Sequence, residues 1–362
     1  MDQFLQDVSL QVMQIDIFVG TFMPLLLVMI LTKVFGENRS FKEGLEIWKF
    51  AIFSGLAFTV PAFLGPEFPA IFGGLFGLLI VVPAAKKGSL LPEKKWDFPA
   101  KKNWESNWIG SLLEEDVIPR KKLPLILAWV PYITVGVILV LTRLEVLPFK
   151  SLLQSFTLGW SNILGTEISA SLEPLYLPGA VFIVVVLITF FVHGMKASQL
   201  GHAMGVSSRA IVGTAVTLFT AVPMVRIFIN SGVNGAGLLS MPMELANAAS
   251  ATLGNSWPFF SPLIGSLGSF ISGSATFSNM MFTLFQFSVA DQIAIDPTLI
   301  IALQILGSNA GNMICVLNVV AAASVVGLLG KEGEIIRLTF YPMLYYVFFS
   351  GALGLIYAFL IG

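Results

Sequence analysis

Phe340 to Gly362 runs for 23 residues without a charged side chain, and Ala180 to His193 extended to its flanks gives a second stretch of the same kind. Both reach the roughly 20 apolar residues that an α-helix needs to cross a bilayer's hydrocarbon. Stretches of this length recur along the chain, and 56% of its residues are hydrophobic with only 11% charged. A soluble domain has roughly 45–50% and about 25%, so a water-soluble fold is excluded and lipid is the solvent.

Windows of about 19 residues predict spans at Ile15 to Phe35, Trp48 to Gly65, Pro69 to Ala85, Leu123 to Thr142, Tyr176 to Gly194, Val206 to Asn230, Thr298 to Leu328 and Thr339 to Ile361. The expected fold is an all-α polytopic membrane protein of about eight transmembrane helices, with a re-entrant hairpin and broken helices added. Residues 1–362 form one transmembrane domain in this reading. Its longest polar stretch is 86–122, where nine basic residues face six acidic ones, and this excess marks a cytoplasmic loop. Alternation then puts Lys33 to Lys49, Met195 to Ser207 and Gly330 to Arg337 inside, with Arg143 to Pro174 and the amino terminus outside. An outside terminus normally needs a signal segment or earlier helices, and Met1 to Val8 offers neither. The expectation is that the chain begins partway through a longer transporter.

Several function classes drop out. Net charge is −1 and no nucleic-acid module surrounds the basic loops, so no nucleic-acid partner is expected. Cys315 is the lone cysteine and His193 and His202 the two histidines, too few for a Cys/His metal site. No cofactor is implied, and the phosphate-binding Gly-x-x-x-x-Gly-Lys-[Ser/Thr] pattern of a transport ATPase is absent.

Residues 231–318 carry the chemistry. Three clusters interrupt apolar sequence there: Asn230 to Gly237, Ser272 to Asn279, and Gly307 to Asn312. Gly and Asn permit irregular backbone, which at membrane depth is tolerated only inside protein or along a wet cavity. Half-helix N-termini at such breaks present free N–H groups to anions. Small-residue helix packing is the plainer explanation of any single cluster; three close together, each with Asn, point to a site. Ser272 to Asn279 reads as the tip of a hairpin, with Trp257 to Ile271 descending and Met280 to Phe287 returning. Ser308 to Asn312 reads as a break in the long span from Thr298. The candidate binding set for a small anion is Ser272, Gly273, Ser274, Thr276, Ser278 and Asn279, closed by Ser231, Asn234, Asn309 and Asn312.

Charges within spans are costly and usually functional or paired. Arg226 is a candidate counter-ion for a substrate carboxylate, with snorkelling as its alternative. Glu244 is the candidate proton carrier, with a surface-facing or Arg226-paired role as its alternative. Asp16 and Lys33 sit near the ends of the first predicted span, where snorkelling accounts for them.

The run Gly268-Ser269-Phe270-Ile271-Ser272-Gly273-Ser274-Ala275-Thr276-Phe277-Ser278-Asn279 resembles the Gly-Ser-x-Thr-x-Ser-Asn signature of the bacterial lactate permease family, which includes glycolate permeases. Gly65-Pro66-Glu67-Phe68-Pro69, Ala302-Leu303-Gln304, Gly311-Asn312-Met313-Ile314-Cys315 and Glu332-Gly333-Glu334-Ile335-Ile336-Arg337 extend the resemblance over nearly the whole chain. It implies a multi-pass protein of the inner, cytoplasmic membrane that takes up L-lactate, and D-lactate or glycolate, by symport with protons. Family members are longer, so the chain resembles their carboxy-terminal two-thirds, about one and a half units of an inverted-repeat transporter. Ala275 and Leu317 depart from residues that some members carry. A passive anion channel and an inactive permease fragment are the rival readings. An intramembrane serine hydrolase built on Ser274 fails for want of a nearby base.

Overall fold

The computed structural model describes residues 2–59, 69–93, 96–105, 108, 123–144, 147–166, 169–326, 328 and 330–361. In chain order its helices are α1 (Asp2–Gly20), α2 (Met23–Phe35), α3 (Phe41–Leu45), α4 (Trp48–Thr59), α5 (Pro69–Lys86), α6 (Leu125–Arg143), α7 (Phe149–Gln154), α8 (Pro178–Val192) and α9 (Ala197–Ile229). They continue with α10 (Met241–Leu253), α11 (Trp257–Ser272), α12 (Ala275–Gln292), α13 (Pro297–Gly311), α14 (Val316–Val325) and α15 (Glu332–Ile361). Among the described residues the one sheet is a two-stranded antiparallel ribbon pairing Leu158–Trp160 with Ala170–Leu172. The chain divides into two compact units, residues 117–216 and the rest.

In the smaller unit α6 and α8 form an antiparallel pair. His193 Nε2 donates to Leu127 O at 2.9 Å at one end, and the Arg143 guanidinium lies 3.6 Å from the Tyr176 ring at the other. His193 is thereby a helix-end clasp. No residue of α6 is buried, and Ile126 is 80% exposed. A helix apolar on every side and bare to its surroundings suits a hydrocarbon solvent.

In the larger unit α13 is the hub, with 12 of its 15 residues buried. It packs against α11, α12, α1 and α15. Local sequence explains where these helices start and stop. Asp296 caps α13 by accepting from Thr298 N at 2.9 Å, with Pro297 in the first turn where its missing N–H costs nothing. α11 likewise begins with a proline in its first turn, and it ends at Gly273, whose φ of 77° needs a residue without Cβ.

Glycines set how closely α11 and α13 approach. A Cβ on Gly265 would collide with Gln304 O, one on Gly307 with the Pro262 backbone, and one on Gly311 with Ser266 O. Backbone meets backbone along the whole pair, which in lipid supplies the dispersion contact that hydrophobic exclusion cannot.

By length and composition, three helical stretches among the described residues can cross a membrane: Gln3–Phe35, Leu125–Arg143 and Glu332–Leu360. The pair α13–α14, bent by 41° at its break, makes up to four, and Gly73–Lys86 and Pro178–Val192 are shorter apolar helices. The first stretch starts at Gln3, well before Ile15 where the hydropathy window placed it, because Leu5, Val8 and Val12 continue the apolar pattern toward the amino terminus. Asp16 therefore lies inside the stretch rather than at its end.

Three segments expected on one side of the membrane do meet. Phe35 stacks edge-on against Trp108 at 5.0 Å, Trp96 Nε1 donates to Glu43 Oε2 at 3.2 Å, and Arg39 pairs with Glu105. Phe35 and Trp108 also share a small cavity with Lys331, Glu334 and Ile335.

Candidate functional site

The turn between α11 and α12 and the break between α13 and α14 lie against one another. A Cβ on Gly273 would meet Leu317 Cδ1 at 2.6 Å and Cys315 Sγ at 3.4 Å. Ser269 Oγ donates to Asn312 Oδ1 at 2.7 Å, and Asn318 Nδ2 donates to the same oxygen at 3.2 Å. α13 runs for about 22 Å before its break and α14 for about 15 Å after it, with a bend of 41° between them.

Unwinding is more confined than the sequence implied. α12 starts at Ala275, so Thr276, Ser278 and Asn279 stand on its first turns, and only Gly273 and Ser274 leave helical geometry. The second break falls at Asn312 to Cys315, not at Ser308. Ser308 is buried and its Oγ donates to Ile305 O at 2.8 Å, as helix-interior serines do. Asn309 is exposed on α13, one turn before the break.

Both new helices begin without a side-chain cap from the turn. In α12 the first helical hydrogen bond is Ser278 N to Ser274 O, 3.0 Å, and Ser274 places no side-chain bond on the turn. In α14 the first is Val319 N to Cys315 O, 3.0 Å. The N–H groups of Ala275, Thr276 and Phe277, and of Val316, Leu317 and Asn318, thus have no acceptor within their own helix. Ser272 closes the turn from the other side, its Oγ donating to Gly268 O at 2.7 Å and alternatively to Ser274 O at 3.1 Å.

Eight residues back along α13, about 12 Å, lies a second polar cluster that sequence reading passed over. Trp257 Nε1 donates to Gln286 Oε1 at 2.8 Å, and Gln286 Nε2 donates to Gln304 Oε1 at 2.9 Å and Ser261 O at 3.3 Å. Gln304 Nε2 donates to Ser278 Oγ at 3.1 Å and Asn279 Oδ1 at 3.4 Å, while Ser278 Oγ donates to Gly265 O at 2.7 Å. Gln286 and Gln304 are fully buried. Two glutamines deep in apolar helices were the available signal, since buried polar side chains in a membrane fold must find partners.

The remaining expected site residues lie elsewhere. Asn234 builds its own loop: Nδ2 donates to Ser231 O and Leu238 O, both at 2.9 Å, and Oδ1 accepts from Ala236 N and Leu238 N at 3.0 and 3.1 Å. Ser231 Oγ accepts from Met241 N at 2.7 Å, tying the loop to the start of α10. There Ser288 Oγ contacts Met243 Sδ at 3.0 Å, and Ser288 is thirteen residues, about 20 Å of helix, beyond Ala275. The loop is therefore anchored to the far half of α12. Arg226 and Glu244 are both exposed, and among the described residues the one ion pair joins Arg39 to Glu105 instead.

The family follows from the whole chain. The sequence profile of the L-lactate permeases matches residues 1–361. The chain belongs to the L-lactate permease family. Members of this family are membrane-bound permeases, transporters rather than enzymes, and membership accounts for the apolar helices of this chain. A Haemophilus influenzae relative, named as an L-lactate permease provisionally, is 27% identical over 366 residues, 94% of this chain and 64% of its own length. The L-lactate permease of Bacillus subtilis is 23% identical, covering 89% of this chain and 60% of its own. A glycolate permease of Escherichia coli is 24% identical, covering 93% and 63%. The chain thus spans less than two thirds of the length of these relatives. No solved structure matches it.

Proposed function

We propose that this chain carries out proton-coupled transport of L-lactate and related short 2-hydroxy-carboxylates, glycolate among them, across the cytoplasmic membrane. The observation that carries the reading is the meeting of two uncapped helix N-termini at the Gly273 and Asn312 breaks. Two macrodipoles and their free N–H groups converge there, which favours an anion. Thr276 and Asn279 stand on the first turns of α12 and supply neutral donors for a hydroxyl and a carboxylate. Asn312, already holding Ser269 and Asn318 through its oxygen, keeps its amide nitrogen for the guest. In this reading Ser231 and Asn234 shape a loop, and Arg226 and Glu244 stay outside the pocket.

Alternating access follows if the hairpin α11–α12 and the broken pair α13–α14 expose the shared site to each side in turn. About eight spans, with the amino terminus of this chain outside, remain the topology that best fits the basic loops.

The test is uptake of labelled L-lactate into liposomes holding the purified chain, driven by an outside-acid pH gradient. Thr276→Ala should raise KM by roughly tenfold, the value of one hydrogen bond to a charged group, with the protein still inserting normally. Equal KM values for the variant and the parent would remove the hairpin from the binding site.

A further inference from the structure

The geometry points to Asp16, held by Tyr346, as the group that takes up and returns the coupled proton. This inference rests on the transport reading above and adds a residue to it.

Asp16 lies inside the 33-residue apolar stretch Gln3–Phe35 and is half-buried. Its Oδ1 accepts a hydrogen bond from the Tyr346 hydroxyl. Tyr346 is fourteen residues from Glu332 and fourteen from Leu360, the ends of the apolar stretch of α15, or about 21 Å each way. The pair is therefore at the middle of the longest helix in the larger unit. A Cβ on Gly20 would come within 3.0 Å of Asp16 Oδ1, so Gly20 leaves the room the carboxyl occupies.

The surroundings hold no cation among the described residues. α13 has no titratable side chain. From α15 the facing groups are Tyr346 and Tyr345, whose hydroxyl donates to Val19 O at 3.2 Å. α4 contributes Lys49, which is exposed and lies over the Trp48 ring. A carboxyl at such depth with a neutral hydroxyl as partner is a functional site by default, and its two protonation states differ by one full charge in a medium that resists charge.

Position connects it to the site. α15 runs antiparallel to α11, with Met343 against Ser266 and Gly351 against Phe259, which sets Tyr346 level with the Gln304 cluster. α13 touches α1 and α15, which carry the pair, as well as α11 and α12, which carry the cluster. Any displacement of α13 in transport moves both. A cavity of about 370 Å³ lined by Gln11, Asp296, Leu299 and Tyr357 ends about one and a half turns of α1 from Asp16, giving a proton an approach from that end. The carboxylate would accept a proton there, carry it as the neutral acid, and release it once the helices have shifted, leaving the carboxylate as before.

The test uses the full chain in liposomes, reading labelled lactate accumulation and internal pH together. Asp16→Asn should lose gradient-driven accumulation at least tenfold while labelled lactate still exchanges for unlabelled lactate. Asp16→Glu should restore accumulation with a displaced pH profile, and Tyr346→Phe, which removes one hydroxyl, should displace it also. Accumulation by Asp16→Asn equal to the parent overturns the assignment. If that variant does not fold, unaltered pH profiles in both Asp16→Glu and Tyr346→Phe overturn it. Parent protein that carries lactate without moving protons overturns this inference and the proton coupling it rests on, leaving lactate transport standing; parent protein that carries neither overturns the transport reading as a whole.

Discussion

Around Gln304 every amide atom of two glutamines has a protein partner, whereas around Asn312, eight residues further along the chain and just past the end of α13, two helix N-termini stand open. Both clusters are polar, both lie among apolar helices, and both join the α11–α12 hairpin to α13 or its end. The difference lies in what is left over. A satisfied network has no capacity for a guest and acts as a clamp, while an unsatisfied one must find water or a ligand. Content of Ser, Asn and Gln alone does not separate clamp from site; the hydrogen-bond inventory does.

The largest effect should come from breaking the frame that both clusters share. Gly307→Val places a branched side chain against the Pro262 backbone, where no rotamer change can relieve the clash. Overpacking of this kind costs about 3 kcal/mol or more when backbone must move. Folded protein recovered in detergent, measured by size-exclusion chromatography, should fall to a small fraction of the parent. Recovery equal to the parent would mean that α11 and α13 are held less closely than the structure shows.

Next comes the clamp itself. Gln304→Leu keeps volume but removes hydrogen bonds to Gln286, Ser278 and Asn279. At roughly 0.6 kcal/mol for each bond between membrane helices, the loss is about 2 kcal/mol. A melting curve in detergent should show it as a lowered Tm, and the KM of the protein that remains folded should change little. A large rise in KM with Tm unaltered would reverse the assignment of clamp and site.

Much of this architecture is legible in the sequence. Apolar run length identifies the membrane class, the Gly273 and Asn312 regions stand out as breaks, and Pro297 and Gly273 mark helix ends by local chemistry alone. What escaped has physical reasons. Thr276 and Asn279 read as unwound because polar residues near a glycine resemble a loop, yet one left-handed Gly273 suffices to turn the chain. Gln286 and Gln304 lie eighteen residues apart and meet only through tertiary packing. Asp16 looked terminal because a hydropathy window stops where acidic residues dilute it, although the helix does not. Asn234 attracted attention by composition, and composition is the same for an Asn that binds a solute and an Asn that binds its own backbone.

Asn234 supplies the smallest effect and the sharpest control on the comparison. Its side chain spends both ends on the loop from Ser231 to Leu238, in exposed positions where such bonds contribute about 1 kcal/mol in total once water competes for them. It is thus a clamp by the same criterion as Gln304, only a weaker one. Asn234→Ala should lower Tm slightly and leave lactate KM within about twofold of the parent, since a group with no spare donor or acceptor has nothing to offer a ligand. A tenfold rise in KM would return the loop to the binding site and would show that satisfied hydrogen bonding does not distinguish structural from ligand-holding asparagines in this fold.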